Sequence, residues 1–318
     1  MNLNGFALFA RGLISSSYWK NGFSVPRAIR AALAASAAFW LIAEIVWYCF
    51  PEFEASSGKP LVLALLALVA AGYAFWENRP KHSTSCRVSN RDVTIRIVVA
   101  DIFSISGSMI VGTNTTFDTD ISGLIDRKSI QGKFTETYFA NAQQLDRELD
   151  HALAGVTYEN AHPGKRGKKN VYPIGTTVRV DTPKRTAYFV AIAQMGMTGA
   201  AAGTFDDIRT ALPALWDFIQ NNGTIDSIVV PVLGSGFSRV PESRETIVRE
   251  MIMSFIASCS VRRFAESLTI AISPNDFYKY SIDMEELSRF LAHVCKYTEF
   301  TSRHPGFAVN APGSAVAE

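Results

Sequence analysis

Cysteine and histidine are scarce in this sequence, and their spacing excludes common metal and redox sites. The cysteines are Cys49, Cys86, Cys259 and Cys295, and no two of them form a C-x-x-C pair. This spacing indicates free thiols in a reducing, cytosolic setting rather than a disulfide framework or a zinc finger. The five histidines show no H-E-x-x-H spacing. We therefore expect neither a metal site nor a metal cofactor.

A strong charge of one sign is also lacking. The formal net charge is +2, and no basic tract alternates with aromatic residues. Proteins that bind nucleic acid usually carry a pronounced basic surface. The composition therefore does not predict nucleic acid as the main partner.

Long apolar runs are present, but only in the first 79 residues. Residues 31–50 contain one charge, Glu44, and residues 60–76 contain none. At about 1.5 Å per helical residue, the runs would measure roughly 30 Å and 26 Å, close to the thickness of a hydrocarbon core. We predict a hairpin of two transmembrane helices, over about 27–50 and 60–76, within an N-terminal segment 1–79.

Basic residues flank the predicted hairpin on both sides and place its two ends in the cytoplasm. These residues are Arg11, Lys20, Arg27 and Arg30 before the first run, and Arg79, Lys81, Arg87 and Arg91 after the second. Glu44 is unusual because a charge at mid-depth in a bilayer is costly. Either it lines a helix–helix interface or pore, or it lies close enough to the outer surface to reach water.

The remaining chain reads as a linker (80–91), a soluble domain (92–300) and a disordered tail (301–318). Candidate strands are 94–103, 108–114, 174–181, 186–194, 225–233 and 268–273, and candidate helices are 141–155, 204–223, 241–259 and 283–295. This alternation predicts an α/β fold with helices on both faces of a mixed sheet. Ligands of such sheets bind beyond the carboxyl ends of the strands. The loops there are 101–107, 113–139, 195–203, 233–240 and 274–280.

One of these loops has the composition of an anion-binding turn. It contains Leu233, Gly234, Ser235, Gly236, Phe237, Ser238 and Arg239, between a buried strand and a helix. Two glycines let successive backbone N–H groups converge, and the following helix adds the positive end of its dipole. The alternative is a tight strand-to-helix turn that binds nothing.

Polar residues also lie at the ends of the first two strands of the predicted domain. Asp101, next to Ile102, can accept hydrogen bonds from an adenine, and Asn114 can bond with ribose hydroxyls. The alternatives are that Asp101 caps a turn and that Asn114 occupies a left-handed position.

Taken together, Asp101-Ile102, Asn114 and Gly234-Ser235-Gly236-Phe237 resemble, in order and strand context, the macro domains, a family that binds ADP-ribose. The resemblance implies that Asp101 meets adenine, Asn114 meets the distal ribose and the glycine loop wraps the diphosphate. It also implies an aromatic residue on adenine, for which Phe277 or Tyr278 is available. Gln131 and Gly132 would then line the distal pocket.

The segment after Asn114 departs from the family, because it lacks the glycine triplet that supports the substrate ribose. This argues against ADP-ribosyl hydrolysis and favours a binding protein that is not an enzyme. A membrane-tethered ADP-ribosyl hydrolase is the alternative. A third possibility is an α/β domain that recruits a partner and binds no nucleotide.

Two membrane helices followed by a divergent macro domain resemble the membrane effectors of type II Thoeris antiphage systems. The resemblance implies a multi-pass protein of the bacterial inner membrane. It also implies a partner TIR-domain enzyme that makes a histidine–ADP-ribose conjugate from NAD. Binding of this nucleotide signal would cause homo-oligomerisation, disruption of the lipid bilayer and abortive infection.

A basic run at 162–169 has two interpretations. It could bind anionic lipid headgroups, or it could be the solvated tip of a hairpin. We favour the solvated tip.

Overall fold

The computed structural model describes Ile14 and residues 23–49, 59–79, 81–88, 92–197, 199–236 and 240–297. The helices are α1 (Val25–Cys49), α2 (Lys59–Glu77), α3 (Ile130–Tyr138), α4 (Ala142–Ala152), α5 (Phe205–Asn222), α6 (Arg244–Val261), α7 (Pro274–Lys279) and α8 (Met284–Tyr297). The strands are β1 (Ser83–Arg87), β2 (Thr94–Val99), β3 (Ser108–Asn114), β4 (Glu159–Asn160), β5 (Asn170–Val171), β6 (Thr177–Asp181), β7 (Thr186–Met195), β8 (Ala201–Ala202), β9 (Asp226–Pro231) and β10 (Ala265–Ile272). The predicted tail 301–318 lies outside the described residues.

The main sheet has five parallel central strands and an antiparallel strand at each side. Its order is β1-β2-β10-β9-β3-β7-β6, and β8 also pairs with β7. Strands β2, β10, β9, β3 and β7 run in the same direction, whereas β1 and β6 oppose their neighbours. The carboxyl ends of the five parallel strands therefore lie along one edge of the sheet.

Apolar clusters cover both faces of this sheet. On one face Trp216 of α5 packs against Phe255 of α6, with ring centroids 5.3 Å apart, and both side chains are fully buried. On the other face Phe134 of α3 packs against Phe189 of β7, also at 5.3 Å. The predicted mixed sheet with helices on both faces is thus confirmed.

Several local predictions need correction. The segment 80–91, predicted as a linker, contains strand β1, whose polar side chains alternate between half-buried and exposed positions at the edge of the sheet. Helix α6 begins at Arg244 with Ser243 as its N-cap, not at Pro241. Helices α3 and α7 lie within the predicted loops 113–139 and 274–280. Strand β1 and helices α3 and α7 are each short or polar, so their apolar periodicity is weak.

The N-terminal arm is built from α1 and α2, which pack against each other. Among the described residues, only α1 is long and apolar enough to span a membrane. The apolar part of α2 with described side chains, Ala64–Glu77, is shorter than a usual span. Membrane association through α1 is therefore indicated, whereas the second span stays a prediction.

Polar contacts join the base of this arm to the α/β domain. The Arg27 guanidinium forms an ion pair with Glu285 at the start of α8. The Ser24 N–H donates to Asn78 Oδ1 at 3.1 Å, and Asn78 is buried. Within α1, Trp40 Nε1 donates to Glu44 Oε1 at 3.1 Å, which gives this carboxylate a partner one turn away.

Candidate ligand-binding site

A cleft of about 870 Å³ opens along the edge where the parallel strands end. Ligand pockets typically enclose roughly 300–1,000 Å³, so the cleft is large enough for a dinucleotide-sized molecule. Its walls come from the segments that follow β2, β3, β7, β9 and β10, and from the first turn of α3. Several of the residues predicted to bind ligand line it, namely Asp101, Ile102, Asn114, Gln131, Leu233, Gly234, Ser235 and Gly236.

Asp101 lies at one end of the cleft, in the turn after β2. Its Oδ1 accepts from the Phe103 N–H at 3.2 Å and caps a short 3-10 helix. Asp101 therefore caps a turn, as one of its two interpretations predicted, but the cap uses only one oxygen of its exposed carboxylate. The second oxygen can accept a hydrogen bond from a ligand. Ile102 is buried beneath this turn and forms an apolar part of the cleft wall.

Asn114 ends β3 and holds the next turn in shape. Its Oδ1 accepts from the Thr116 N–H at 3.0 Å and the Asp118 N–H at 3.3 Å, and the Thr116 hydroxyl, 2.9 Å away, bonds to the Asp118 carboxylate. The two backbone N–H donors that meet at this atom identify it as the oxygen, so the amide orientation is defined. Asn114 lines the cleft, and its Nδ2 is the group left to donate to a ligand.

Gln131 and Gly132 shape the wall next to Asn114. Gln131 accepts from Thr113 Oγ1 at 3.1 Å and donates to the Asp118 carbonyl at 2.7 Å, which fastens α3 to the end of β3. Gly132 does not line the cleft. A Cβ at Gly132 would lie 2.4 Å from the Asp126 carbonyl oxygen, so glycine allows the preceding loop to approach α3.

The glycine loop after β9 forms the opposite wall. Gly234 has φ +69°, and a Cβ there would lie 2.6 Å from Val240 Cγ2. The left-handed backbone and the close contact with Val240 both require glycine at this position. The Ser235 N–H bonds to the Val232 carbonyl at 3.3 Å and closes a turn. Among the described residues, no acceptor meets the Gly236 N–H, which is available to an anion. Phe237, Ser238 and Arg239 lie outside the described residues.

Helix α7 closes the cleft beyond β10, and here the aromatic prediction needs correction. Phe277 is a core residue whose ring packs 5.8 Å from that of His82 and does not line the cleft. The helix instead presents Asn275 and Asp276. Burial raises the pKa of Asp276 above its usual value, while the positive charges of Arg244 and Lys279 oppose this rise.

The sequence did not identify several charged residues of the cleft. These are Asp126, Lys128 and Asp276. Their loops were candidates, but nothing in the local pattern indicates which side chains face inward. The described lining combines three carboxylates with two lysines, and backbone N–H groups can add to anion binding there.

The basic run 162–169 forms the tip of the hairpin 159–171, and most of its residues are exposed as predicted, but two of its lysines turn back onto the domain. Lys165 is 5% exposed, and its Nζ lies 3.4 Å from Asp118 Oδ2. The same Nζ donates to the Arg166 and Lys168 carbonyls at 2.8 and 2.9 Å. Burial of an ammonium is tolerated here because a carboxylate and two carbonyls surround it.

A second lysine of this hairpin also contacts the domain. Lys168 Nζ lies 2.7 Å from both Asp146 and Asp150 of α4. Burial tends to lower the pKa of Lys168, but hydrogen bonds and charge from both carboxylates raise it overall. These lysines are therefore engaged within the protein rather than presented to lipid headgroups.

Residues 95–273 match the family model described as the macro domain of Thoeris protein ThsA. The chain belongs to the ThsA macro-domain family. The match begins in β2 and ends just after β10, so it spans all five parallel strands and the cleft between them.

Individual relatives of this ThsA-type chain are distant. It is 22% identical over 240 residues to Thoeris protein ThsA of Bacillus amyloliquefaciens (strain Y2), an alignment covering 72% of this chain and 78% of that protein. An Oceanobacillus iheyensis macrodomain with ADP gives a TM-score of 0.44 at 15% identity, over 66% of this chain and 99% of that one. A Trypanosoma brucei macrodomain in complex with ADP-ribose gives 0.40 at 12% identity, over 59% and 67%.

Proposed function

We propose that this chain is a signal-gated membrane effector of a Thoeris antiphage system. Its cleft binds an ADP-ribose conjugate, histidine–ADP-ribose, that a partner TIR-domain enzyme makes from NAD. Binding drives homo-oligomerisation, and the assembled hairpins disrupt the bacterial inner membrane and end the infection abortively. The observation that carries this proposal is the meeting of Asp101, Asn114 and the loop Gly234–Gly236 around one cleft of nucleotide size.

The three segments divide the ligand among them. Asp101, at the end of β2, accepts from the adenine, and the Gly236 N–H donates to the diphosphate. Asn114 donates from Nδ2 to the distal ribose, because its Oδ1 is already occupied. The histidine moiety then extends toward the first turn of α3, where Lys128 and Lys133 line the cleft and can attract a carboxylate.

The loop after Asn114 supports a binding role without turnover. In this loop Thr116 and Asp118 are buried and bonded to protein groups. No glycine run brings backbone N–H groups to the substrate ribose. Catalysis requires groups that act on the transition state more strongly than on the bound ligand. The polar side chains of this loop are committed to holding its shape.

One observation favours the alternative, a membrane-tethered ADP-ribosyl hydrolase. Asp276 lines the cleft with a pKa raised by burial, and a perturbed carboxyl in a cleft is a candidate general acid or base. The hydrolase alternative predicts turnover of the conjugate that is lost in Asp276→Asn.

The N-terminal arm supplies the membrane part of the proposal. Basic residues at both ends of the hairpin favour a cytoplasmic position for the cleft, where a nucleotide signal would be made. Ligand can shift assembly only if it contacts the assembled state better than the free one. The ion pair between Arg27 and Glu285 joins α1 to the domain that would sense the ligand.

Calorimetry on the full chain in detergent tests the receptor role. Histidine–ADP-ribose, ADP-ribose and NAD are titrated in turn into the unaltered protein and into Asn114→Asp, which keeps the oxygen that holds the turn but removes the Nδ2 donor. We expect the conjugate to bind most tightly and Asn114→Asp to weaken its binding about tenfold or more, the effect of one hydrogen bond lost in a desolvated site.

Vesicle leakage tests the effector role with the same protein. Liposomes carrying the unaltered chain should release dye when the conjugate is added, whereas liposomes carrying Asn114→Asp should need about tenfold more conjugate. Binding without oligomers or leakage would reject the effector function. Hydrolysis of the conjugate would favour the alternative enzyme.

A further inference from the structure

Arg244 is a buried cation directly behind the glycine loop. It is the first residue of α6 and only 9% exposed, and it does not line the cleft. Its Nη2 donates to the Ser235 carbonyl at 2.7 Å. Its Nε is buried and has no hydrogen-bond partner in the part of the chain that the structure describes. A charged group is costly to bury and costlier when incompletely bonded, so its position calls for an explanation.

The contacts of Arg244 join two walls of the cleft. Its guanidinium lies over the ring of Tyr280, 4.4 Å from the centroid, at the end of α7. The Arg244 charge also acts on Asp276, which lines the cleft from the same helix. A single side chain thus contacts the glycine loop on one side and α7 on the other.

The geometry of the Ser235–Gly236 peptide gives this contact a consequence for ligands. The described chain contains no cis peptide bond, so the Ser235 C=O and the Gly236 N–H point in opposite directions. Arg244, which does not line the cleft, holds the carbonyl. The Gly236 N–H therefore lies on the side of the peptide opposite to Arg244, and Gly236 lines the cleft.

Besides orienting the Ser235–Gly236 peptide, Arg244 also polarises it. A carbonyl that accepts from a cation withdraws electron density from its own peptide, and the N–H of that peptide becomes a stronger donor. The positive charge of Arg244 is buried and poorly screened, so its field also reaches the anion site beyond the peptide.

We propose that Arg244 is a positioning residue for diphosphate recognition, acting through the Ser235–Gly236 peptide without touching the ligand. This inference rests on the proposed function of the cleft and extends it to the class of ligand. The arrangement selects nucleoside diphosphates and their conjugates over nucleosides, because only the diphosphate reaches the oriented Gly236 N–H.

Arg249 provides a matched control on the same helix. Its Nε is likewise buried and has no hydrogen-bond partner among the described residues, and its guanidinium lies 5.5 Å from the Phe290 ring centroid. Its ion pair is with Glu286 of α8, whereas Arg244 bonds to the glycine loop. The Arg249 side chain is 35% exposed, so Arg249→Met should lose less packing than Arg244→Met and leave the cleft unaltered.

The experiment measures adenosine, ADP and ADP-ribose binding to the full chain in detergent. We expect Arg244→Met to weaken ADP and ADP-ribose about tenfold or more, the effect of a lost charged hydrogen bond, and to leave adenosine within twofold. Arg244→Lys keeps the charge but not the planar guanidinium, so it should give an intermediate loss of ADP and ADP-ribose affinity. Arg249→Met should match the unaltered chain for all three probes.

Each other outcome overturns the inference in a recognisable way. Equal weakening of adenosine and ADP would assign Arg244 a general structural role. Unchanged ADP binding in folded Arg244→Met, with thermal unfolding as the check, would remove the role altogether. If Arg244→Met does not fold, Arg244→Lys must show the selective loss of ADP or the inference fails. Absence of ADP-ribose binding in the unaltered chain would instead reject the proposed function itself.

Discussion

His82 Nε2 and Tyr278 Oη lie 2.9 Å apart and connect the chain leaving the N-terminal arm to the helix that closes the cleft. His82 directly precedes β1, and its ring also packs 5.8 Å from Phe277. Tyr278 belongs to α7, which presents Asn275 and Asp276 to the cleft. A shift of α7 on ligand binding would therefore move His82.

The first prediction concerns coupling between the cleft and the arm. We expect His82→Ala to retain conjugate binding within about twofold, since His82 does not line the cleft, while reducing ligand-induced oligomerisation and vesicle leakage. Calorimetry and dye release on the same preparation measure the two effects. Thr84→Ala is the control, because Thr84 on β1 contacts Ser288 of α8 at 2.9 Å rather than α7. Equal leakage from His82→Ala and the control would contradict the coupling.

The second prediction is a pH dependence of stability that arises from the same histidine. Burial lowers the pKa of His82 below 6.5, so the folded state favours the neutral ring. The unfolded state then binds more protons near its own pKa, and stability rises with pH. This contribution is fully present above about pH 6.5 and is lost as the pH falls below it.

Thermal unfolding between about pH 5 and 8 measures this effect. The melting temperature of His82→Gln should depend less on pH than that of the unaltered chain. Identical pH profiles for the two proteins would exclude His82 as the source.

The third prediction concerns the conformation of the glycine loop. Gly234→Ala should lower the free energy of unfolding by about 1–2 kcal/mol for the left-handed backbone, with a further cost from the contact with Val240. Chemical denaturation measures this loss. Gly236→Ala is the matched control, because a Cβ there meets no atom of the described residues within 4 Å. Equal stability of the two variants would contradict the assigned loop geometry.

The fourth prediction tests the buried ion pair under the distal end of the cleft. Lys165→Met leaves the Asp118 carboxylate buried without its cation, and such a loss typically costs about 3–5 kcal/mol. The double variant Asp118→Asn with Lys165→Met should recover part of this loss.

Denaturation of these variants is compared with that of Lys168→Met. The Lys168 side chain is 24% exposed and pairs with surface carboxylates, so its removal should cost about 0–1 kcal/mol. A larger loss from Lys168→Met than from Lys165→Met would show that the burial of Lys165 has been misjudged.

Local patterns in the sequence determined most of the regular structure. Strand β3 has the predicted bounds of Ser108–Asn114, because β-branched residues and the preceding Ser-Gly turn are short-range signals. Helix α5 starts after Thr204, the first residue of the predicted helix 204–223, and reciprocal bonds between Thr204 and Asp207 cap it. The order Asp101, Asn114 and Gly234 was enough to indicate a macro domain, since each lies at the end of a strand or just after it.

Tertiary structure alone decided which of these segments meet and which charges are buried. Asp118 and Lys165 are 47 positions apart, and Arg27 and Glu285 are 258 apart, so no local pattern reports their pairing. For the same reason, the sequence wrongly placed Phe277 in the ligand site and gave no indication of the role of Arg244. Whether a side chain faces the core, the cleft or a buried carbonyl depends on how distant elements pack. That packing is set by the sheet order and by the burial of both its faces, which the spacing of residues along the chain does not contain.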